Sequence, residues 1–520
     1  MNIEIYDTTL RDGTQQEGIS LTAGDKLRVA ALLDQLGVDY IEGGWPGANP
    51  KDDEFFRRAR TELNLTTATL TAFGSTRRKG IRPEDDEQLE ALLAAQTGVV
   101  CLVGKTWDYH VEHALRTDVK EAIAMVEDSI GYLVSQGRRV FFDAEHFFDG
   151  YQANAGFALD VLRAAHGAGA ERLVLCDTNG GFLDHQVERV IGEVGEALDD
   201  PRLGAHFHND TGMAVANSLT AVRNGAVQVQ GCVNGYGERT GNADLCSVIP
   251  NLALKMGIEA IPQDRLPHLT RVSHHIAEII NLTLDPHLPY VGSSAFTHKA
   301  GLHTSALERK SDAYEHLDPG RVGNSTRVVV SELAGRSTVL AKARAQGLDV
   351  DDDAAQAVVE RIKEMEHEGY QFEAADGSFE LLLREASGWK QDFFDVESYR
   401  VYVENRGDDV IAEATVKIHI GDDRVVATSE GQGPVSALDR ALRQALAPAY
   451  PAISGFRLTD FRVRDLDSSD GTSARVRVLV ETSDGDDIWG TVGVHVNMID
   501  ASWKALIDGI VIGLVKSSLT

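Results

Sequence analysis

The strongest constraint on the fold is a rhythm. From the start of the chain to about residue 260, short apolar runs alternate with amphipathic stretches. Strands are predicted at Ile3–Tyr6, Tyr40–Glu42, Leu65–Phe73, Val99–Val103, Arg139–Asp143, Arg172–Cys176, Gly204–Phe207 and Val227–Cys232. Between them, segments such as Lys26–Leu36, Val119–Val134 and Ala155–His166 carry apolar residues at helical spacing. Eight strands alternating with helices in about 250 residues suit an α/β fold of the closed (β/α)8 TIM-barrel type better than an open doubly wound sheet. No GxGxxG follows the first strand, which removes the main support for a dinucleotide fold.

Nearly every predicted strand runs into a polar or glycine-rich cluster. Strand one gives TTLRDG, strand two EGGWPG, strand five DAEHF, strand six CDTNGG, strand seven HFHND and strand eight NGYGERTGN. A barrel points all of these at one face, where active sites are built. His206 and His208 stand two apart at a strand end, so both side chains point to the same side. With the Asp12 carboxylate and the Asn242 amide oxygen on that face, they form a plausible site for Zn, Mn, Co or Mg. Arg11 is always charged and offers planar donors for a developing oxyanion. Glu145 and Thr178 end strands five and six. Substrate binding and plain strand-end capping both suit them.

Other properties bound the reading. At 520 residues the chain exceeds one ordinary core, so two or three domains are expected. A formal charge of −30 argues against nucleic acid or an anionic membrane surface as partner. No apolar run approaches the roughly 18 residues of a membrane helix, and no signal peptide is expected from the opening residues. Four cysteines without CxxC spacing point to reduced thiols in the cytoplasm.

From about residue 323 the barrel rhythm ceases. Segments 322–347, 352–368 and 378–389 read as a mainly helical linker region. Alternation then marks strands at Ala414–Ile420 and Val425–Thr428 before a helix at Val435–Leu446. The order recurs with Ala474–Val480, Trp489–Val494 and a helix at Ile499–Ile510. Two βββα-like units imply an α+β domain that packs its helices on its sheets. The expected division is a barrel over 1–265, a linker region over 266–395 and a C-terminal domain over 396–520.

DTTLRDG, HFHND and GERTGN resemble the signatures of the DRE-TIM metallolyase superfamily. Within it the chain is similar to the acetyl-CoA-dependent 2-isopropylmalate, homocitrate and citramalate synthases. FFDAEHFFDGY, HKAGLHTSALERKSDAYEH and GNSTRVVVSELAGRS look most like the longer type of citramalate synthase. The resemblance covers the whole chain. It implies a metal shell of Asp12, His206, His208 and Asn242, with Arg11 polarising the keto oxygen and stabilising the alkoxide. It further implies Thr178 on the keto-acid carboxylate and Glu145 by the acetyl group or the substrate. His303 matches the general base, with His298 a competitor, and Tyr314 matches a tyrosine that closes over the site.

The reaction so implied joins acetyl-CoA to pyruvate with a divalent cation as cofactor. The C-terminal domain would bind isoleucine as effector and hold a homodimer. 2-Isopropylmalate synthase is the nearest alternative, differing mainly in the pocket for the keto-acid side chain; homocitrate synthase follows. A lyase on the same barrel would need a reactive cysteine in the glycine-rich loop. Cys232, in the predicted eighth strand, reads instead as a buried apolar residue. A non-catalytic amino-acid sensor would have no need of Arg11, Asp12, His206, His208 and His303 together.

Overall fold

The computed structural model describes residues 3–199, 201–298, 315–328, 336–372, 375–407, 409–466, 474–485 and 487–519. It divides into two compact units. One comprises residues 1–296 with 317–326, the other residues 297–316 with 327–520.

The first unit is a closed barrel of eight parallel strands: β1 Glu4–Asp7, β2 Tyr40–Glu42, β3 Thr69–Ser75, β4 Val99–Lys105, β5 Arg139–Glu145, β6 Arg172–Asp177, β7 Leu203–Phe207 and β8 Gln228–Gly231. β8 closes against β1 with Glu4 opposite Gln228 and Asp7 opposite Gly231. The first crossover helix, Ala23–Leu36, starts at a Thr22–Asp25 capping box and stops at Gly37 with φ 94°. In the helix Asp184–Ala197, Val187, Val190, Ile191 and Val194 form the buried face, the spacing one helical stripe requires.

Two element starts depart furthest from the sequence expectation. β3 begins at Thr69 rather than Leu65, because the Asp34 carboxylate accepts the backbone N–H groups of Thr66, Thr67 and Ala68. A side chain there satisfies donors that a strand would have paired. The helix expected from Ala155 begins at Phe147, with a break at Asn154 (φ −152°) whose Oδ1 accepts the Phe157 N–H. The sequence pattern had located the second half only.

Inside the barrel, alternate residues face the axis. Tyr6, Tyr40 and Phe141 make an aromatic floor, with Tyr40 and Phe141 edge to face at 5.0 Å. Above it lies a buried polar layer of Glu42, Asp143 and Gln230, and Tyr6 Oη donates to Glu42 Oε2 at 2.7 Å. Outside, the strands' other face packs on the helices in one continuous apolar cluster. Cys232 lies one residue beyond β8 rather than within it, since its N–H and C=O pair with the Ala243 and Leu245 backbone of the following loop. It is fully buried, the other three cysteines are also buried, and none forms a disulfide.

In the second unit, helices span Arg336–Ala345, Asp352–His367 and Asp376–Ala386. Two antiparallel three-stranded sheets follow: Asp395–Arg406, Asp409–Ile420 and Asp423–Gly431, then Arg457–Asp465, Val476–Ser483 and Ile488–His495. Each is followed by a helix, Pro434–Leu446 and Met498–Leu519 respectively. The βββα repetition is therefore present, including the first strand of each unit that alternation had not delimited. Ala412, Ala414, Val416 and Ile418 on the middle strand share a core with Leu438, Leu442 and Leu446 of the helix. No helix among the described residues is long and apolar enough to cross a membrane.

Phe142 on β5 points into the helix-facing core and is fully buried, lying where a Cβ on Gly104 would come within 2.6 Å of its ring. Phe142→Ala is expected to cost about 3–5 kcal/mol, read as a lower denaturant midpoint for the barrel's unfolding transition.

Candidate active site

The polar ends of the strands surround a cavity of about 390 Å³, lined by residues from loops after seven of the eight strands. Arg11, Asp12, Glu145, Thr178, His206 and His208 all line it. The barrel thus brings together six of the ten residues singled out from the sequence. Asn242 stands beside them: its backbone bridges that of His208, and its side chain is buried. His303 and Tyr314 lie outside the described residues. His298, in a two-residue strand of the second unit, has Nε2 3.5 Å from Glu315 Oε1.

Asp12, His206 and His208 are all buried, and their ligand atoms lie within 4.8 Å of one another. Asp12 Oδ2 is 3.3 Å from His206 Nε2 and 3.7 Å from His208 Nε2. Asn242 Oδ1 is buried and accepts no hydrogen bond, while its Nδ2 donates to Tyr236 O at 3.0 Å. A carboxylate, two imidazoles and an unpartnered carbonyl oxygen make a donor set that fits a divalent cation. The loop after β8 is shaped to deliver Asn242. A Cβ on Gly237 would meet Asn242 Nδ2 at 2.2 Å, and one on Gly241 would meet Gly235 O at 2.0 Å. Both glycines also have positive φ, 151° and 89°.

His206 is oriented from behind. Its Nδ1 lies 2.9 Å from Gln230 Oε1, and Gln230 Nε2 donates to Asp143 Oδ1 at 2.9 Å. An acceptor at Nδ1 puts the proton there and turns Nε2 toward Asp12.

Arg11 sits among three buried carboxylates. Its Nε donates to Glu42 Oε1 at 2.6 Å, its Nη1 is 3.3 Å from Asp12 Oδ1, and its guanidinium lies 3.8 Å over the Phe73 ring. Burial would lower its pKa, but Glu42, Asp12 and Asp143 together raise it. Burial likewise opposes ionisation of Asp12, yet Arg11, His206 and His208 hold its carboxyl well below the usual range. At Glu42 and Asp143 burial wins and the pKa rises, with Arg11 opposing it at both.

Glu145 pairs with Lys105, and Thr178 Oγ1 accepts the His146 N–H at 2.9 Å. Glu42, Asp143, Gln230 and Lys105 were not singled out from the sequence. A polar residue at an inward position of an otherwise apolar strand, as in QVQG, is the signal that marks them.

The two imidazoles titrate in opposite directions. Burial and then His206 push His208 down to about 4, whereas Asp12 overrides burial and raises His206 above its ordinary value. Protons therefore compete with a cation at His206 from above the ordinary imidazole range, and at His208 only in acid. Mn²⁺ affinity is expected to fall as the pH drops into the range where His206 protonates, with proton release on binding, measurable by calorimetry in buffers of different ionisation enthalpy.

Comparison with known proteins agrees with this architecture. The HMGL-like family matches residues 2–275, the homocitrate synthase post-HMGL domain-like family 290–370, and the LeuA allosteric (dimerisation) domain 373–513. The chain is 50% identical over 518 residues to the (R)-citramalate synthase of Aquifex aeolicus (strain VF5), covering 99% of this chain and 98% of the relative. It is 52% identical over 522 residues to that of Streptomyces coelicolor, covering 100% and 98%. The (R)-citramalate synthase of Synechocystis sp. is 52% identical over 529 residues, with 98% and 96% covered. A buried Asp–His–His set beside an arginine at the mouth of an eight-stranded barrel, continued by these two downstream segments, thus accompanies identity along the whole length: the chain belongs to the citramalate synthase group of the HMGL-like family.

Proposed function

We propose that this chain condenses acetyl-CoA with pyruvate and hydrolyses the resulting thioester to citramalate and CoA. The observation that carries the reading is Arg11 beside the Asp12, His206 and His208 set in one cavity. The choice of keto acid rests on the full-length likeness to (R)-citramalate synthases. Asp12, His206, His208 and Asn242 would hold the divalent cation, which supplies Lewis acidity to the keto-acid carbonyl.

Around it, each residue has a defined task. A base removes a proton from the acetyl methyl group; His303 is the proposed base, and Tyr314 the side chain that closes over the site. The resulting carbon nucleophile attacks the keto carbon, and Arg11 faces the oxygen on which negative charge collects. Its permanent charge, held in place by Glu42, needs no rearrangement at that moment. Thr178 would take the keto-acid carboxylate and Glu145, paired with Lys105, would orient the acetyl group. Water then cleaves the thioester, CoA leaves as the thiol, and the condensation becomes effectively irreversible. Trp45, Phe73, Val103 and Leu115 give the same cavity apolar walls, which suit a small keto-acid substituent.

We assign catalysis to 1–265, completion of the site to 266–395, and regulation with homodimerisation to 396–520. The effector is isoleucine, the end product of the route that citramalate opens, and a cytoplasmic location goes with four reduced thiols.

CoA release measured with pyruvate, 2-ketobutyrate and 2-ketoisovalerate is expected to be fastest with pyruvate at equal subsaturating concentration. A preference for 2-ketoisovalerate would sink this assignment in favour of the isopropylmalate reaction. Isoleucine added to the full chain is expected to slow CoA release from pyruvate. An unchanged rate across isoleucine concentrations counts against the effector assignment alone.

A further inference from the structure

Thr178 occupies the turn after β6 and is gripped from two other strand ends. The His146 N–H, after β5, donates to Thr178 Oγ1 at 2.9 Å. Arg239, in the loop after β8, donates from Nη2 to the Thr178 carbonyl at 2.8 Å. Arg239 is itself clamped by Asp210, with Nε to Oδ1 at 2.8 Å and Nη2 to Oδ2 at 3.0 Å.

Both donors hold a backbone that side-chain-bearing residues seldom adopt: φ is 54° at His146 and 56° at Arg239. Seven non-glycine residues have positive φ among those described, and two of them donate to this one threonine. His146 is fixed in that conformation by packing, its ring edge-on to His110 at 4.4 Å and 6.2 Å from Trp107. Its Nδ1 is buried without a hydrogen bond, 3.6 Å from Asp149 Oδ2. The imidazole thus packs, and the backbone N–H does the polar work. The Arg239 side chain is 42% exposed, where an ion pair adds little stability, so stability is a weak reason to keep a strained residue there.

A hydroxyl has one proton and two lone pairs. With a lone pair of Thr178 Oγ1 occupied by the His146 N–H, its own proton is free to donate into the cavity that the side chain lines. We propose that His146 and Arg239 are positioning residues that fix Thr178 as a hydrogen-bond donor to the keto acid's carboxylate. This rests on the proposed role of Thr178.

The test is a kinetic cycle on the full-length, metal-loaded enzyme, with KM for pyruvate and for acetyl-CoA, kcat and the thermal midpoint recorded for each variant. His146→Val disfavours the left-handed backbone and is expected to raise the pyruvate KM about tenfold, the loss of roughly one oriented hydrogen bond. The acetyl-CoA KM should move less than about twofold. His146→Asn, which tolerates that backbone, should recover most of the loss. Thr178→Val should raise the pyruvate KM by a similar factor, and adding His146→Val to it should cost nothing further. Arg239→Gln gives an independent arm if His146→Val does not fold, with the same dependence on Thr178. Additive effects in the double variants, or equal damage from His146→Asn and His146→Val, overturn the positioning role. An unchanged pyruvate KM in Thr178→Val instead overturns the carboxylate reading on which it rests.

Discussion

Everything at the mouth of this barrel depends on the buried pair between Arg11 and Glu42. A guanidinium taken out of water is costly unless its charge is matched and its donors are used, and Glu42 does both at 2.6 Å. Glu42 is in turn held by Tyr6 from the aromatic floor. Because Glu42 takes the main share of Arg11, the neighbouring Asp12 keeps one oxygen facing His206 and His208. Were Arg11 to collapse onto Asp12 alone, that carboxylate would be neutralised by an arginine and lost to a cation. The charges of the consecutive residues Arg11 and Asp12 are kept apart by a third residue on another strand.

The same dependence explains what was legible in the sequence. The eight-strand rhythm, the polar strand ends and the HxH pair are local patterns, and each reappears in the barrel. The strands ending at Asp7, Lys105, Glu145 and Asp177 run one or two residues past their apolar signal. These polar residues continue the ladder after the apolar signal has stopped. Glu42, Asp143 and Gln230 escaped notice because their meaning is relational: each is defined by a partner 24 to 87 positions away. The start of β3 is hidden for a related reason, since the Asp34 carboxylate on the helix Ala23–Leu36 takes the backbone donors just before it.

The second unit is built on a different logic. Its two sheets each cover one face with a helix, and alternate positions of a middle strand supply small and branched residues to the core, as in Ala412, Ala414, Val416 and Ile418. On the first sheet, Tyr402 and Val426 are exposed on the face away from that core, and Val403 and Val410 are exposed on the core's own side toward the Asn405–Val410 end of the hairpin. Repetition here was visible as an order of elements rather than as repeated residues, which is why the segment order survived while the first strands lacked clear limits.

The pairing of β7 with β8 sets His206 directly opposite Gln230. A slip of one residue would turn His206 and His208 to the helix-facing side together. Ligand geometry and barrel register are thus a single degree of freedom. A cation that recognises this set recognises only the closed barrel, so its binding energy adds to the folded state by mass action. Metal supply would then bear on how long such a chain stays folded as well as on how fast it turns over.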